Sequence, residues 1–154
     1  MIPYKEDLIQ KWLQENDSGA HTDLMWGCIK GQLQVCRWLF NNGQSNNIEE
    51  FDSSGKNIMH NSCIYGHLLI CQWVFMLVPE FLSEVTTEES WTPMLLACAN
   101  GHIDICEWLF ENGANEDIRK NDRYGNTPLF ISCARNQLPV CKWLLAMGAS
   151  NDVC

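Results

Sequence analysis

No lysine or arginine occurs between Asn57 and Ile118 of this 154-residue chain, a stretch that carries nine carboxylates. That gap argues against nucleic-acid binding, because displacing counterions from a phosphate backbone takes clustered Lys and Arg. Long apolar runs are missing too. The longest, Trp73 to Pro79, falls far short of the ~20 residues that cross a bilayer, so no membrane insertion is expected. The first residues set Lys5, Glu6 and Asp7 ahead of a short amphipathic stretch and offer no apolar leader core, so secretion by signal peptide is not expected either. A Gly-rich phosphate loop, a paired-carboxylate signature and a nucleophile motif are likewise absent. No enzyme and no cofactor are expected.

What is present fits a folded chain: 46% apolar and 19% charged residues, and enough length to bury roughly 70% of the unfolded surface without staples. The net charge of −9 is unevenly spread, at −3 over residues 1–56, −9 over 57–118 and +3 over 119–154. The nine cysteines, an odd number in a chain without a leader, suggest a reducing compartment, so an intracellular, cytoplasmic location is expected.

Eight of those cysteines obey one period. Cys36, Cys71, Cys106 and Cys141 lie 35 residues apart, and so do Cys28, Cys63, Cys98 and Cys133. Trp38, Trp73, Trp108 and Trp143 follow, as do Gly31, Gly66 and Gly101, with Asn136 at the fourth place. Self-similarity of this period marks a solenoid. Each unit reads as two short helices. The first runs over about 24–30, 58–65, 93–100 and 128–135, opened in the last two by Pro93 and Pro128, where a missing N–H costs nothing. The second runs over about 33–41, 68–77, 103–111 and 138–147, with apolar residues three and four apart and Gly43, Gly113 and Gly148 as stops. Polar segments 44–56, 83–90 and 114–126 join the units. Asp52-Ser53-Ser54-Gly55 and Asp122-Arg123-Tyr124-Gly125 share a turn pattern in which Asp starts the turn and Gly accepts positive φ. Ahead of the units, Asp7 to Glu15 forms one amphipathic helix whose Lys11-Trp12-Leu13 echoes Arg37-Trp38-Leu39 at 26 residues rather than 35, as a polar-faced N-terminal cap would.

Thr92-Pro93-Met94-Leu95, the small pair Ala97-Cys98, Gly101-His102-Ile103 and Gly113-Ala114 closely resemble the ankyrin repeat. Gly125-Asn126-Thr127-Pro128-Leu129 through Leu138 resembles it nearly as well, and the resemblance recurs four times over about residues 17–154. Departures are Asp23 in place of Pro, Lys56-Asn57-Ile58 in place of x-Thr-Pro, and a second unit that lacks Gly-Ala and runs through Val78-Pro79-Glu80-Phe81-Leu82. The period is two residues longer than the family's, and the hairpins are where insertions disturb least. The resemblance implies an all-α ankyrin-repeat solenoid of stacked helix-turn-helix units with protruding β-hairpin-like loops. It would form one domain over 1–154, with a cap helix at 5–16 and repeats at about 17–51, 52–86, 87–121 and 122–154. It further implies a non-enzymatic scaffold that binds a protein through its concave face.

Geometry speaks against a disulfide ladder between equivalent cysteines. Neighbouring helices sit roughly 8–10 Å apart, whereas a disulfide needs Cα atoms within about 7 Å. The eight periodic cysteines are therefore expected to fill the core as small hydrophobes, leaving Cys154 as the exposed one. His60, Cys63, His67 and Cys71 imitate a zinc string, but the family pattern places His at both positions for structural hydrogen bonds, so no metal is expected. The tryptophan row is expected to pack along the outer helices.

Mapping the family's variable positions onto the chain gives His21, Lys30, Ser53, Ser54, Lys56, Ile64, Tyr65, Glu88, Glu89, Trp91, Ala99, Asn100, Arg123, Tyr124, Asn126, Ala134 and Arg135, and of these Tyr65, Glu88, Glu89, Trp91, Arg123, Tyr124, Asn126 and Arg135 are the expected partner site. Aromatic and Arg side chains dominate interface hot spots, which singles out Trp91, Arg123, Tyr124 and Arg135 as anchors. The alternative is that Trp91 and Tyr124 brace adjacent hairpins. Glu88 and Glu89 would suit a basic group on the partner, and Arg123 and Arg135 an acidic one. The last second helix, Leu138 to Met147, is as apolar as the internal ones, with no polar cap behind it. That leaves core surface open, as in a fragment of a longer array or an edge that pairs with another copy. A monomer is the expected state, with self-association through that edge as the alternative.

Overall fold

The structure is a computed structural model that describes residues 3–16 and 21–149. Its described residues form nine α-helices: α1 (Pro3–Asn16), α2 (Asp23–Ile29), α3 (Leu33–Leu39), α4 (Ile58–Tyr65), α5 (Leu68–Leu77), α6 (Pro93–Ala99), α7 (Ile103–Glu111), α8 (Pro128–Ala134) and α9 (Leu138–Ala146). Each pair from α2/α3 to α8/α9 is one unit. The first helices, α2, α4, α6 and α8, pack side by side, and the second helices lie behind them in looser mutual contact.

Local chemistry starts and stops these helices. Thr22, Thr92 and Thr127 accept the amide hydrogens of Met25, Leu95 and Phe130 at 3.4, 3.1 and 3.1 Å, satisfying amides that have no partner inside the helix. In the second unit, which lacks Thr-Pro, Asn57 caps α4 by a reciprocal arrangement. Its side chain accepts from His60 N–H at 3.0 Å, and Asn57 N–H donates to His60 Nδ1 at 3.1 Å. His60 Nε2–H reaches the Glu84 carbonyl at 2.8 Å, so this ring has a partner at both nitrogens and is buried.

The turn inside each unit also locks one unit to the next. Gly66 has φ 80°, and the His102 ring lies over it while Nε2–H donates to the Ile64 carbonyl at 2.8 Å. His67 repeats this over Gly31, with Ile29 O at 2.9 Å, and Gln137 does so over Gly101, with Ala99 O at 3.5 Å. His60 and His67 are thus engaged by the backbone, as the family pattern implies. Outer helices interlock through edge-to-face rings: Phe40–Trp73, Phe75–Trp108 and Phe110–Trp143, at 5.7, 5.6 and 5.7 Å between centroids. Leu145 holds the next place in that phenylalanine series.

Three expectations change. The joining segments contain short 3₁₀ turns, Ser45–Glu49, Pro79–Leu82 and Asn115–Arg119, and in the second unit buried Phe81 and Leu82 take over from the missing Gly-Ala ending. The helix expected over 33–41 ends at Leu39, and the chain widens through Phe40–Gln44, where Gly43 has φ 108°. The protruding loops are hairpin-like without any strand among the described residues: Asp52 N–H donates to Lys56 O and Asp122 N–H to Asn126 O, and the Asp52 and Asp122 carboxylates accept further local N–H groups. Finally, Cys133 is exposed rather than buried, because α8 and α9 are the last helices among the described residues and nothing described packs beyond them; Cys154 lies outside the described residues.

A candidate protein-binding surface

Three loop tips stand in a row beside the first helices. Thr87 Oγ1 donates to Ser54 O at 3.5 Å between the first and second, and Arg123 N–H donates to Glu89 O at 3.0 Å between the second and third. Asp122 organises the third tip. Its Oδ1 accepts from the amides of Tyr124 and Asn126 at 2.8 and 2.9 Å, and its Oδ2 accepts from Asn126 Nδ2 and Trp91 Nε1 at 3.0 and 3.3 Å. Burial opposes its ionisation, but the hydrogen bonds from Asn126, Tyr124 and Trp91 together hold its carboxyl below the usual carboxylate range. Asp52 is held low in the same sense against its own burial, by Lys56, Ser54 and Asn61.

The eight residues singled out from the sequence divide into two groups. Trp91, Arg123 and Asn126 brace the frame. The Trp91 ring is half-buried against Leu95, Ala99 and Ile131, with the Arg135 guanidinium 5.5 Å from its centroid, so it joins the second loop to α6 and α8. Arg123 donates through its guanidinium to Glu88 O and lies 5.9 Å from the Tyr124 ring. Asn126 is tied to Asp122. Tyr65, Glu88, Glu89, Tyr124 and Arg135 are exposed, and so is Arg123 despite its bracing contacts. Tyr65 at the end of α4 is 53% exposed and Tyr124 at the third tip 70%, which is far more than a packing role requires. The Glu88 and Glu89 carboxylates make no ion pair among the described residues.

Trp26 was missed. On α2 it stacks on His21, with ring centroids 6.0 Å apart, and Lys30 Nζ sits 4.8 Å from its centre, a cation-on-indole pairing like that of Arg135 on Trp91 between the third and fourth units. The signal was available, since Trp26 stands where the other units have Asn61, Leu96 and Ile131. Lys30 and Arg135 occupy equivalent ends of α2 and α8, so the row of first helices carries a cation at each end and the acidic second loop between them. No three His, Cys, Asp or Glu side chains gather in a metal-holding group among the described residues, and no described helix is long and apolar enough to cross a membrane.

A comparison with curated proteins finds no match. A family model described as ankyrin repeats (3 copies) matches residues 74–153, and another described as ankyrin repeats (many copies) matches residues 24–75. The first alone spans half of the chain, and the helix pairs, turn glycines and interlocking histidines fall in the matched residues: this chain belongs to the ankyrin-repeat family.

Proposed function

We propose that the chain is a non-enzymatic adaptor that holds a protein segment along the loop tips and first helices. Ankyrin repeats are in general protein–protein interaction modules, and the observation that carries the specific reading is the exposure of Tyr65 and Tyr124 beside a braced frame. Tyr65 and Tyr124 supply large, stiff contact area, Trp91 supplies the floor, and Arg135 and Arg123 meet an acidic group while Glu88 and Glu89 meet a basic one. The partner segment then carries charges in the opposite order, and added salt slows its association more than it speeds its release.

Affinity capture from the native cell with the wild type and with Tyr65→Ala/Tyr124→Ala tests this. The bound protein is lost from the double variant and kept by Met76→Gln, altered at a 73% exposed position on α5. Loss in Met76→Gln with retention in the double variant moves the site to the outer helices.

A second reading is self-association through the last unit, favoured by the exposure of Phe130, Leu138, Leu145 and Met147 there. Sedimentation decides it: a mass that stays monomeric as concentration rises removes it.

A further inference from the structure

Each unit brings together two cysteines eight residues apart, one from each helix. The sulfur atoms of Cys28 and Cys36 are 3.4 Å apart, those of Cys63 and Cys71 3.8 Å, those of Cys98 and Cys106 3.6 Å, and those of Cys133 and Cys141 3.2 Å. The helix spacing that separates equivalent cysteines of neighbouring units does not separate these pairs, which lie within a unit. Three of them are sealed, since all six of their cysteines are buried. The fourth is open: Cys133 is exposed and Cys141 stands directly behind it.

We propose that Cys133 and Cys141 form a dithiol modification site, converted to an intra-unit disulfide by exchange with a low-molecular-weight disulfide of the glutathione class. Cys133, as thiolate, attacks one sulfur of RSSR, forming Cys133–S–S–R and releasing RS⁻. Cys141 then gives up its proton and attacks the Cys133 sulfur, expelling the second RS⁻. Two protein thiols are oxidised, one external disulfide is reduced to two thiols, and the two protein protons end on the two released thiolates.

The order of events follows from the surroundings. Burial, together with the hydrogen bond and charge of Cys133, pushes the Cys141 thiol up to about 11, so Cys141 is a poor first nucleophile. Once Cys133 is capped as a mixed disulfide, its charge and its hydrogen bond are withdrawn. The attack is then intramolecular, from a sulfur already in contact, and proximity favours closure over accumulation of the mixed disulfide. The buried pairs have the same spacing but no path for RSSR. Burial and then the neighbouring sulfur raise the Cys28 and Cys63 thiols well above their usual value, and the hydrogen bond with Cys106 and then burial do the same for Cys98, which keeps all three protonated.

The test uses the full chain incubated with oxidised glutathione, quenched by alkylation in denaturant and digested with trypsin. Peptide 124–135 appears disulfide-linked to peptide 136–142, with Cys133 and Cys141 both withdrawn from alkylation. Cys141→Ser stops at a glutathione adduct on Cys133, Cys133→Ser gives no linked peptides, and Cys154→Ser changes nothing. Far-UV circular dichroism confirms that each variant keeps its helices. A wild-type chain that accumulates the Cys133 adduct, links 124–135 to 143–154, or oxidises a buried pair first overturns the proposal.

Discussion

Replacing Gly66 by alanine measures how much of the stack's cohesion rests on one imidazole lying over one turn. The substitution has two costs that can be separated. A residue with a Cβ at φ 80° meets the left-handed penalty, about 1–2 kcal/mol. The new Cβ would also stand 2.6 Å from His102 Cε1 and 2.7 Å from Nδ1. That ring cannot step aside freely, because its 2.8 Å bond to Ile64 O holds it, and overpacking of this kind costs about 1–3 kcal/mol. Gly125→Ala is the control, since Gly125 has φ 84° but nothing within 4 Å of a built Cβ. It should lose about 1–2 kcal/mol, and Gly66→Ala about 2–5 kcal/mol. With His102→Ala in place the clash is gone, and the Gly66→Ala cost should fall to that of the control. Urea unfolding followed by far-UV circular dichroism and tryptophan fluorescence supplies the four corners of the cycle. If Gly66→Ala and Gly125→Ala agree within about 0.5 kcal/mol, or the cycle is additive, the ring does not clamp the turn as argued.

His60 makes stability depend on pH. Burial, opposed by its bond to Glu84 O, lowers its pKa from 6.5 to about 4, so the unfolded chain takes up a proton that the folded chain refuses. The contribution is fully present above pH 6.5 and drains away as pH falls to about 4, by about 3 kcal/mol in all, and urea midpoints at stepped pH values should show the decline. A flat profile through that window would contradict the burial of a neutral ring. Trp91→Ala should lower stability by about 2 kcal/mol through lost packing, whereas Tyr124→Ala should leave the unfolding midpoint unchanged, and thermal melts compare them directly. A double-mutant cycle on Phe75 and Trp108 should return a coupling of about 0.5–1.5 kcal/mol, and a value near zero would mean that the edge-to-face contact is incidental.

Much of the architecture was legible because its determinants are local and repeated. The spacing of Cys, Trp and Gly marked the units, the stop of α5 at Leu77 followed from apolar periodicity, and that of α7 at Glu111 from periodicity together with Gly113. Where chemistry was shared between units, reading along the chain fell short. Trp91 stood out as an irregularity, but its seat under Arg135 and against Ile131 depends on residues about 40 positions away. Trp26 breaks the period at the place of Asn61, Leu96 and Ile131, and only the fold shows its ring stacked on His21 and under Lys30.

Sequence alone determined that this chain builds four helix pairs after an N-terminal helix, since caps, turn glycines and apolar spacing act within a few residues of one another. Only the tertiary structure decided which sulfurs meet and which stays open. The eight-residue offset is present in all four units, but contact needs the two helices folded back on each other. Exposure depends on what packs against each pair, and Cys133 alone among the eight described cysteines is left uncovered.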